Sequence, residues 1–364
     1  MISNIKIDNY KSIRNLDLEM KPINILIGSN GAGKSNFIGF FKFLKNIFDR
    51  KLQNHVSEEG SSEDIFHLGS KTSEYIKGQL EFKVSSDFKC GYGFKLKQNS
   101  VDNLFFDEEY ALICNIEESS YIPIPESLGS GHTESKLPYQ RDSSIGAIAN
   151  SYMESFRVFH FHDTSKTSKL RKPANINDND FLREDGSNLP AFLYWIKEKH
   201  PKDFKKIEAT ICSVAPFFEK FDLKPDNINE EKIRLRWKEK KSDAYFDAKH
   251  LSDGTLRFIA LTTLLMQPEK PGVIIIDEPE LGLHPFAINK LAGLINKASM
   301  HAQIIVSTQS VNLIDNFEPE DIITVDREEG RSIFIRHNSN ALEGWLEDYS
   351  IGDLWNKNVI GGRP

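Results

Sequence analysis

The sequence predicts an α/β fold: a mixed, largely parallel sheet covered by helices, with an antiparallel β subdomain and a helical insertion. Three observations predict it. The apolar run "INILI" at 23–27 ends in a glycine-rich loop, and apolar residues at helical spacing follow. Residues 76 to about 115 alternate apolar and polar between polar turns, which is the pattern of antiparallel strands. The last third alternates helix and strand, which implies parallel strands joined by covering helices.

Taken in order, Ile2, Ile5 and Ile7 among polar neighbours predict a half-buried strand, and Leu16, Leu18 and Met20 a second. Pro22 breaks the pattern before the buried strand at 23–27. "NFIGFFKFLKNIF" predicts a helix from Lys34 to near Arg50. Residues 51–75 read as polar and irregular. "IKGQLEFKV", "YGFKLKQ" and "YALICNI" read as antiparallel strands. The Ser- and Gly-rich stretch 125–150 reads as an exposed loop. "FRVFHF" (156–161) is a strand, and helices are expected across 178–222, clearest at "LPAFLYWIKEKHP". "KIRLRWK" and "AYFDAKHL" return to strand. A helix from Gly254, a strand "GVIIID", a helix from Pro285 and strands "QIIVST", "DIITVD" and "SIFIRH" complete the chain. No internal repeat or sustained heptad is present, so a long coiled coil is not expected. The expected division is 1–125 (phosphate loop and antiparallel strands), 126–245 (an inserted, partly helical lobe) and 246–364.

The 364 residues are 39% hydrophobic and 27% charged, ordinary for a globular protein. No apolar run approaches the roughly 20 residues needed to span a bilayer, and the N-terminus lacks the pattern of a secretory signal. Cys90, Cys114 and Cys212 match no metal spacing and suggest a reduced compartment, so a cytoplasmic location is expected. The net charge of −7 excludes a whole-surface attraction to nucleic acid but not a local basic face.

"GSNGAGKS" fits G-x-x-x-x-G-K-[ST], with Gly28, Gly33, Lys34 and Ser35 at the fixed positions. Backbone N–H groups of Asn30, Gly31, Ala32, Gly33, Lys34, Ser35 and Asn36 must converge on phosphate oxygens, so the loop needs small residues of wide conformational range. The following helix aims its N-terminus at the anion. Lys34 is expected on the β- and γ-phosphates of ATP, and the Ser35 hydroxyl on Mg2+. In "GVIIIDEPELGLHP" a buried strand delivers Asp277 and Glu278 at its C-terminal edge, where ligands of open α/β sheets sit. Asp277 is expected to hold the magnesium through water, and Glu278 to activate the attacking water.

"GSNGAGKSN", "LSDGT", "DEPELGLHP" and "VSTQS", in that order, resemble an ABC-type ATPase head of the SMC/RecF/OLD class. The opening "IDNYKSIRNLDLEMKPINILIGSNGAGKSN" is similar to that class's start. The ending "YSIGDLWNKNVIGGRP" resembles related stand-alone predicted ATPases, and the middle matches weakly, chiefly at "FHFHDTS" (159–165). The resemblance implies a homodimer in which two heads dock head-to-tail around two ATPs. Each signature, here "LSDGT", would touch the opposite subunit's γ-phosphate through Ser252 and Gly254. It also puts Lys11 and Ser12 beside the nucleotide.

Two departures stand out. Asp253 replaces the usual glycine, and Arg257, four residues on, is expected to neutralise it. Gln309 replaces the usual switch histidine and cannot carry a proton at neutral pH. Slow hydrolysis is therefore expected, with ATP acting largely as a dimer clamp. No acidic nuclease segment follows the last strands, so a separate effector protein is expected, in anti-phage defence or DNA maintenance. The alternatives are a RecF-like DNA-binding repair ATPase and a non-hydrolysing scaffold that sequesters an effector. His160, His162 and Asp163 form at most an incomplete metal set. His284 is expected at the dimer interface. The basic clusters at 166–172 and 234–241 read as solvated faces, or as contacts to a DNA backbone.

Overall fold

The computed structural model describes residues 1–85, 88–115, 124–140 and 145–363. The chain divides into two compact units, Met1–Phe156 with Glu318–Pro364, and Arg157–Phe317. Among the described residues no helix is long and apolar enough to cross a membrane.

The first unit holds an antiparallel sheet of β1 (Ile2–Tyr10), β2 (Ile13–Glu19), β4 (Ile76–Lys83), β5 (Phe88–Gln98), β6 (Leu104–Asn115) and β7 (Ile124–Gly129). Their order is β2-β1-β4-β5-β6-β7. The register sets Ile5 opposite Leu18 and Ile7 opposite Leu16, so alternate residues of both strands enter the core. Here too β3 (Ile23–Gly28), buried along its whole length, pairs in parallel with β16 (Ile322–Glu328). Antiparallel β17 (Arg331–Arg336) lies on the far side of β16.

From β3 the chain passes through the glycine loop into α1 (Lys34–Phe48). Phe37, Phe40, Phe41, Phe43 and Leu44 are fully buried on this helix. The Tyr10 ring lies 5.1 Å from Phe40 and 5.4 Å from Phe43. At about 1.5–3 kcal/mol per large apolar side chain, this face anchors the helix that carries the loop.

Two stretches differ from the sequence reading. The polar segment after α1 contains a helix, α2 (Leu52–Glu59), with only Leu52, His55 and Val56 buried. Its N-terminus is satisfied from a distance: the Glu134 carboxylate accepts from Leu52 N at 3.1 Å and Gln53 N at 3.3 Å. The Ser- and Gly-rich stretch is no simple loop. β7 begins it, and α3 (Ile145–Glu154) ends it, burying Gly146, Ala149 and Met153. Residues 141–144, and 116 at the end of "YALICNI", lie outside the described residues. Helices α9 (Ser339–Leu346) and α10 (Ile351–Asn356) close this unit.

In the second unit β14 (Val273–Asp277) pairs in parallel with β15 (Gln303–Thr308), with Asp277 opposite Ser307. β8 (Phe156–Phe159) neighbours β14. Helices α4 (Leu189–Lys199), α5 (Pro201–Val214), α6 (Asp253–Met266), α7 (Pro285–Ala298) and the single turn α8 (Val311–Ile314) accompany them. Ten of the fourteen α6 residues are buried, from Leu256 to Leu265. A small sheet of β10 (Phe218–Phe221), β12 (Arg236–Glu239) and β13 (Tyr245–Asp247) and a short ladder of β9 (Ala174–Asn175) with β11 (Lys232–Ile233) complete the unit.

Candidate functional site: a phosphate loop and an acidic strand end

In the first unit the glycine loop meets the physical demands of an anion cradle. Gly31 and Gly33 have φ of 78° and 120°, in the region that excludes most side chains. A Cβ on Gly33 would lie 1.9 Å from Ser332 Oγ and 2.8 Å from Ser12 Oγ, so glycine is required there. No side chain caps the N-terminus of α1, and its first turn holds no acid. The dipole of α1 is thus aimed at this loop, an end of the helix that favours an anion.

Lys34 is buried, and its ammonium donates to Gly28 O at 2.6 Å and Ser29 O at 3.0 Å. Those carbonyls hold the amine at the loop, where the phosphate oxygens of a bound nucleotide would compete for it. Ser35 is exposed beside it. The residues present therefore fit a nucleotide triphosphate, with the Ser35 hydroxyl a hard oxygen ligand suited to magnesium.

Sequence reasoning missed the brace behind the loop. Ser332 on β17 donates to Ala32 O at 2.6 Å and shares a 2.6 Å hydrogen bond with Ser12 Oγ. Asn36 donates to the same Ser12 oxygen at 2.7 Å, and Arg327 donates to Gly31 O at 3.2 Å. Ser12 thus sits against the loop. Lys11, at a positive φ of 47°, directs its amine to Glu59 at 2.6 Å. Arg14 is exposed.

The second unit holds the acidic strand end, laced to its neighbouring strand. Ser307 Oγ donates to Asp277 Oδ1. Glu278, at φ 39°, donates its N–H to Ser307 O at 2.9 Å, and its Oε1 accepts from the Gln309 side chain at 2.7 Å. Glu280 was not anticipated. It is buried, and its Oε1 accepts from Thr308 Oγ1 at 2.5 Å and from Gln309 N at 3.0 Å. Burial pushes this carboxyl above the usual carboxylate range, and Glu278 adds to the rise against three hydrogen bonds that oppose it. His162 Nε2 lies 3.8 Å from Asp277 Oδ2, and the rings of His160 and His162 are 6.5 Å apart. Among the described residues no cluster of three His, Cys, Asp or Glu could hold a metal on its own.

Ser252 caps α6, its Oγ accepting from Thr255 N at 3.2 Å. A Cβ on Gly254 would fall 2.3 Å from Gly282 O, so the signature turn and the "ELGLHP" loop touch backbone to backbone. Asp253 has a closer cation than the one expected, although its charge is also felt at Arg257. Arg257 donates instead to Phe161 O at 3.0 Å and His162 O at 2.8 Å. Arg171 neutralises Asp253, its Nη2 2.7 Å from Oδ1. Arg257 points to those carbonyls because it is buried and they need a donor. Arg171 is the better-placed cation, but 82 residues separate it from Asp253, so helical spacing gave no sign of it. His284 caps α7, its Nδ1 accepting from Phe286 N at 3.3 Å.

Motif order and fold together place the chain among ABC-type ATPases of the SMC/RecF/OLD class. More particularly, residues 23–315 match the family described as "AAA domain, putative AbiEii toxin, Type IV TA system", and the chain belongs to it. It is 23% identical to the Old nuclease of Escherichia phage P2, over 94% of this chain and 62% of that protein. The chain thus spans less than two thirds of that relative's length. It is 22% identical to the Septu protein PtuA of Bacillus thuringiensis, over 97% of this chain and 84% of that one. Among solved structures, the Smc head bound to the C-winged helix domain of ScpA superposes with a TM-score of 0.63. That match has 15% identity and covers 94% of this chain and 99% of the other. The fold is therefore that of an Smc head domain.

Proposed function

We propose that the protein binds ATP and hydrolyses it slowly, that ATP drives two copies head-to-tail, and that the ATP state controls a separate effector protein. One observation carries the reading: an uncapped helix N-terminus behind a glycine cradle, with a buried lysine at its mouth. In this reading the loop residues Asn30 to Asn36 hold the triphosphate, and Lys34 balances its charge. Ser35 and Asp277 hold the magnesium, which when bound screens the β- and γ-phosphates. Glu278 orients and deprotonates the attacking water, and Gln309 donates a hydrogen bond near the γ-phosphate. Ser252 and Gly254 serve the partner copy's nucleotide. Leu281 and Phe286, 42% and 50% exposed beside His284, support an interface on this face.

Slow turnover is expected because Gln309, at the place of the usual switch histidine, cannot carry a proton at neutral pH. Similarity to the phage P2 Old nuclease and to a Septu protein supports a setting in defence or DNA maintenance. The test is light-scattering mass with and without MgATP, alongside phosphate release. Glu278→Gln is expected to keep the ATP-dependent dimer and abolish turnover. Normal hydrolysis by that variant removes Glu278 as the base, and a monomer at saturating ATP removes the dimer. Duplex DNA in a parallel arm, across a salt series, reads out a RecF-like role through stimulated hydrolysis with a steep salt slope.

A further inference from the structure

Three consecutive residues at the end of β15 bond the three carboxylates of the acidic turn. Ser307 bonds Asp277, the Gln309 side chain bonds Glu278, and Thr308 and the Gln309 backbone bond Glu280. The first two acids have roles in the proposed reaction, and the third has none assigned. Glu280 is nonetheless the most buried of the three. The hydrogen bonds from Thr308 and from the Gln309 backbone both enter one oxygen, Oε1, while among the described residues buried Oε2 has no hydrogen-bond partner. A buried acceptor left unmade costs about 1–3 kcal/mol, so a purely space-filling role would be met better by an apolar residue.

We infer that Glu280 is a positioning residue: through Thr308 and the Gln309 backbone it sets where the Gln309 amide meets Glu278. This rests on the reading of Glu278 as base and Gln309 as switch. The geometry is direct, because the backbone N–H that Glu280 holds and the amide that reaches Glu278 belong to the same residue. Fixing that N–H fixes the origin of the side chain, and Gln309 then spans 2.7 Å to Glu278 Oε1. With the carboxyl held toward its neutral form by burial, glutamine is its near-isostere. Glutamine presents the same acceptor to Thr308 and Gln309.

The experiment measures ATP turnover and hydrogen exchange at the Gln309 amide in the parent, Glu280→Gln, Glu280→Ala and Glu280→Asp. Glu280→Ala is expected to lower kcat about 10- to 100-fold, the scale of a displacement of about 1 Å in a catalytic group, with KM for ATP within about twofold. Glu280→Asp, which withdraws the acceptor by one methylene, decides the matter if the alanine variant does not fold. Glu280→Gln is expected to rescue kcat to within about threefold of the parent. In a Gln309→Ala background Glu280→Ala should cost little more, because the two act as a unit. Additive losses there overturn the inference, as does a rise in KM with kcat unchanged. If the parent hydrolyses no ATP, the proposed function fails and exchange alone decides. Faster exchange at Gln309 in the alanine variant then upholds the positioning role, and an amide as protected as the parent's overturns it.

Discussion

Replacing Arg171 with methionine should destabilise the second unit far more than removing the acid it pairs with. Arg171 has only 6% of its side chain exposed. Its Nε donates to Thr164 O at 2.8 Å, and Nη1 to Ala248 O and to Leu251 O at 3.0 Å. Those carbonyls belong to residues that are themselves buried. Methionine fills the space and strands all three acceptors, at about 1–3 kcal/mol each. With one rescued by water, the loss is about 2–6 kcal/mol, a large part of a typical stability of about 5–15 kcal/mol. The Asp253 side chain is 66% exposed, so Asp253→Asn gives up an ion pair of about 0–1 kcal/mol. Arg171→Lys should fall between them, since an ammonium cannot reproduce the planar fork. Urea denaturation followed by far-UV ellipticity measures all three. Equal losses for Arg171→Met and Asp253→Asn, or a loss under about 1 kcal/mol for the methionine variant, would refute the claim that the carbonyl net dominates.

Gly254→Ala forces a Cβ to within 2.3 Å of Gly282 O; it should abolish the ATP-dependent dimer while monomers still bind a fluorescent ATP analogue, as mass and anisotropy will show. Ser332→Ala removes the brace on Ala32 O and Ser12; at about 1 kcal/mol for one buried hydrogen bond, ATP affinity by calorimetry should fall about fivefold. His55 is held below its ordinary value by burial, with Lys42 and Lys11 lowering it further and Glu59 and Glu58 opposing. The folded state therefore binds fewer protons than the unfolded one just below about pH 6.5, and stability is lost as pH falls through the folded pKa. Thermal melts from pH 7 to 5 should show a slope that His55→Phe flattens.

Features whose backbone demands are local were legible in the sequence. The turn into α1 needs glycines wherever the chain sits, and Ser252 caps α6 from three residues away. The end of β14 is marked by its own apolar run. What escaped depends on partners far along the chain. Helix α2 is capped by Glu134, some 80 residues on, so its own sequence carries no start signal. Asp253 finds Arg171 rather than Arg257, and the loop's brace comes from Ser332, 300 residues beyond Ala32. Glu280 reads as a surface acid in a turn, and only the close passage of β15 makes it a buried one. Its one sequence signal is a third carboxylate, three residues after Asp277, in a turn obliged to pass the neighbouring strand end.

Backbone lies directly against backbone where Gly254 meets Gly282. A compliant side chain between two segments can change rotamer and absorb a displacement, but none stands here. Any shift of the "ELGLHP" loop larger than ordinary thermal slack must carry the head of α6 with it, and the reverse holds as well. The two turns move as gear teeth do, in mesh rather than in sympathy.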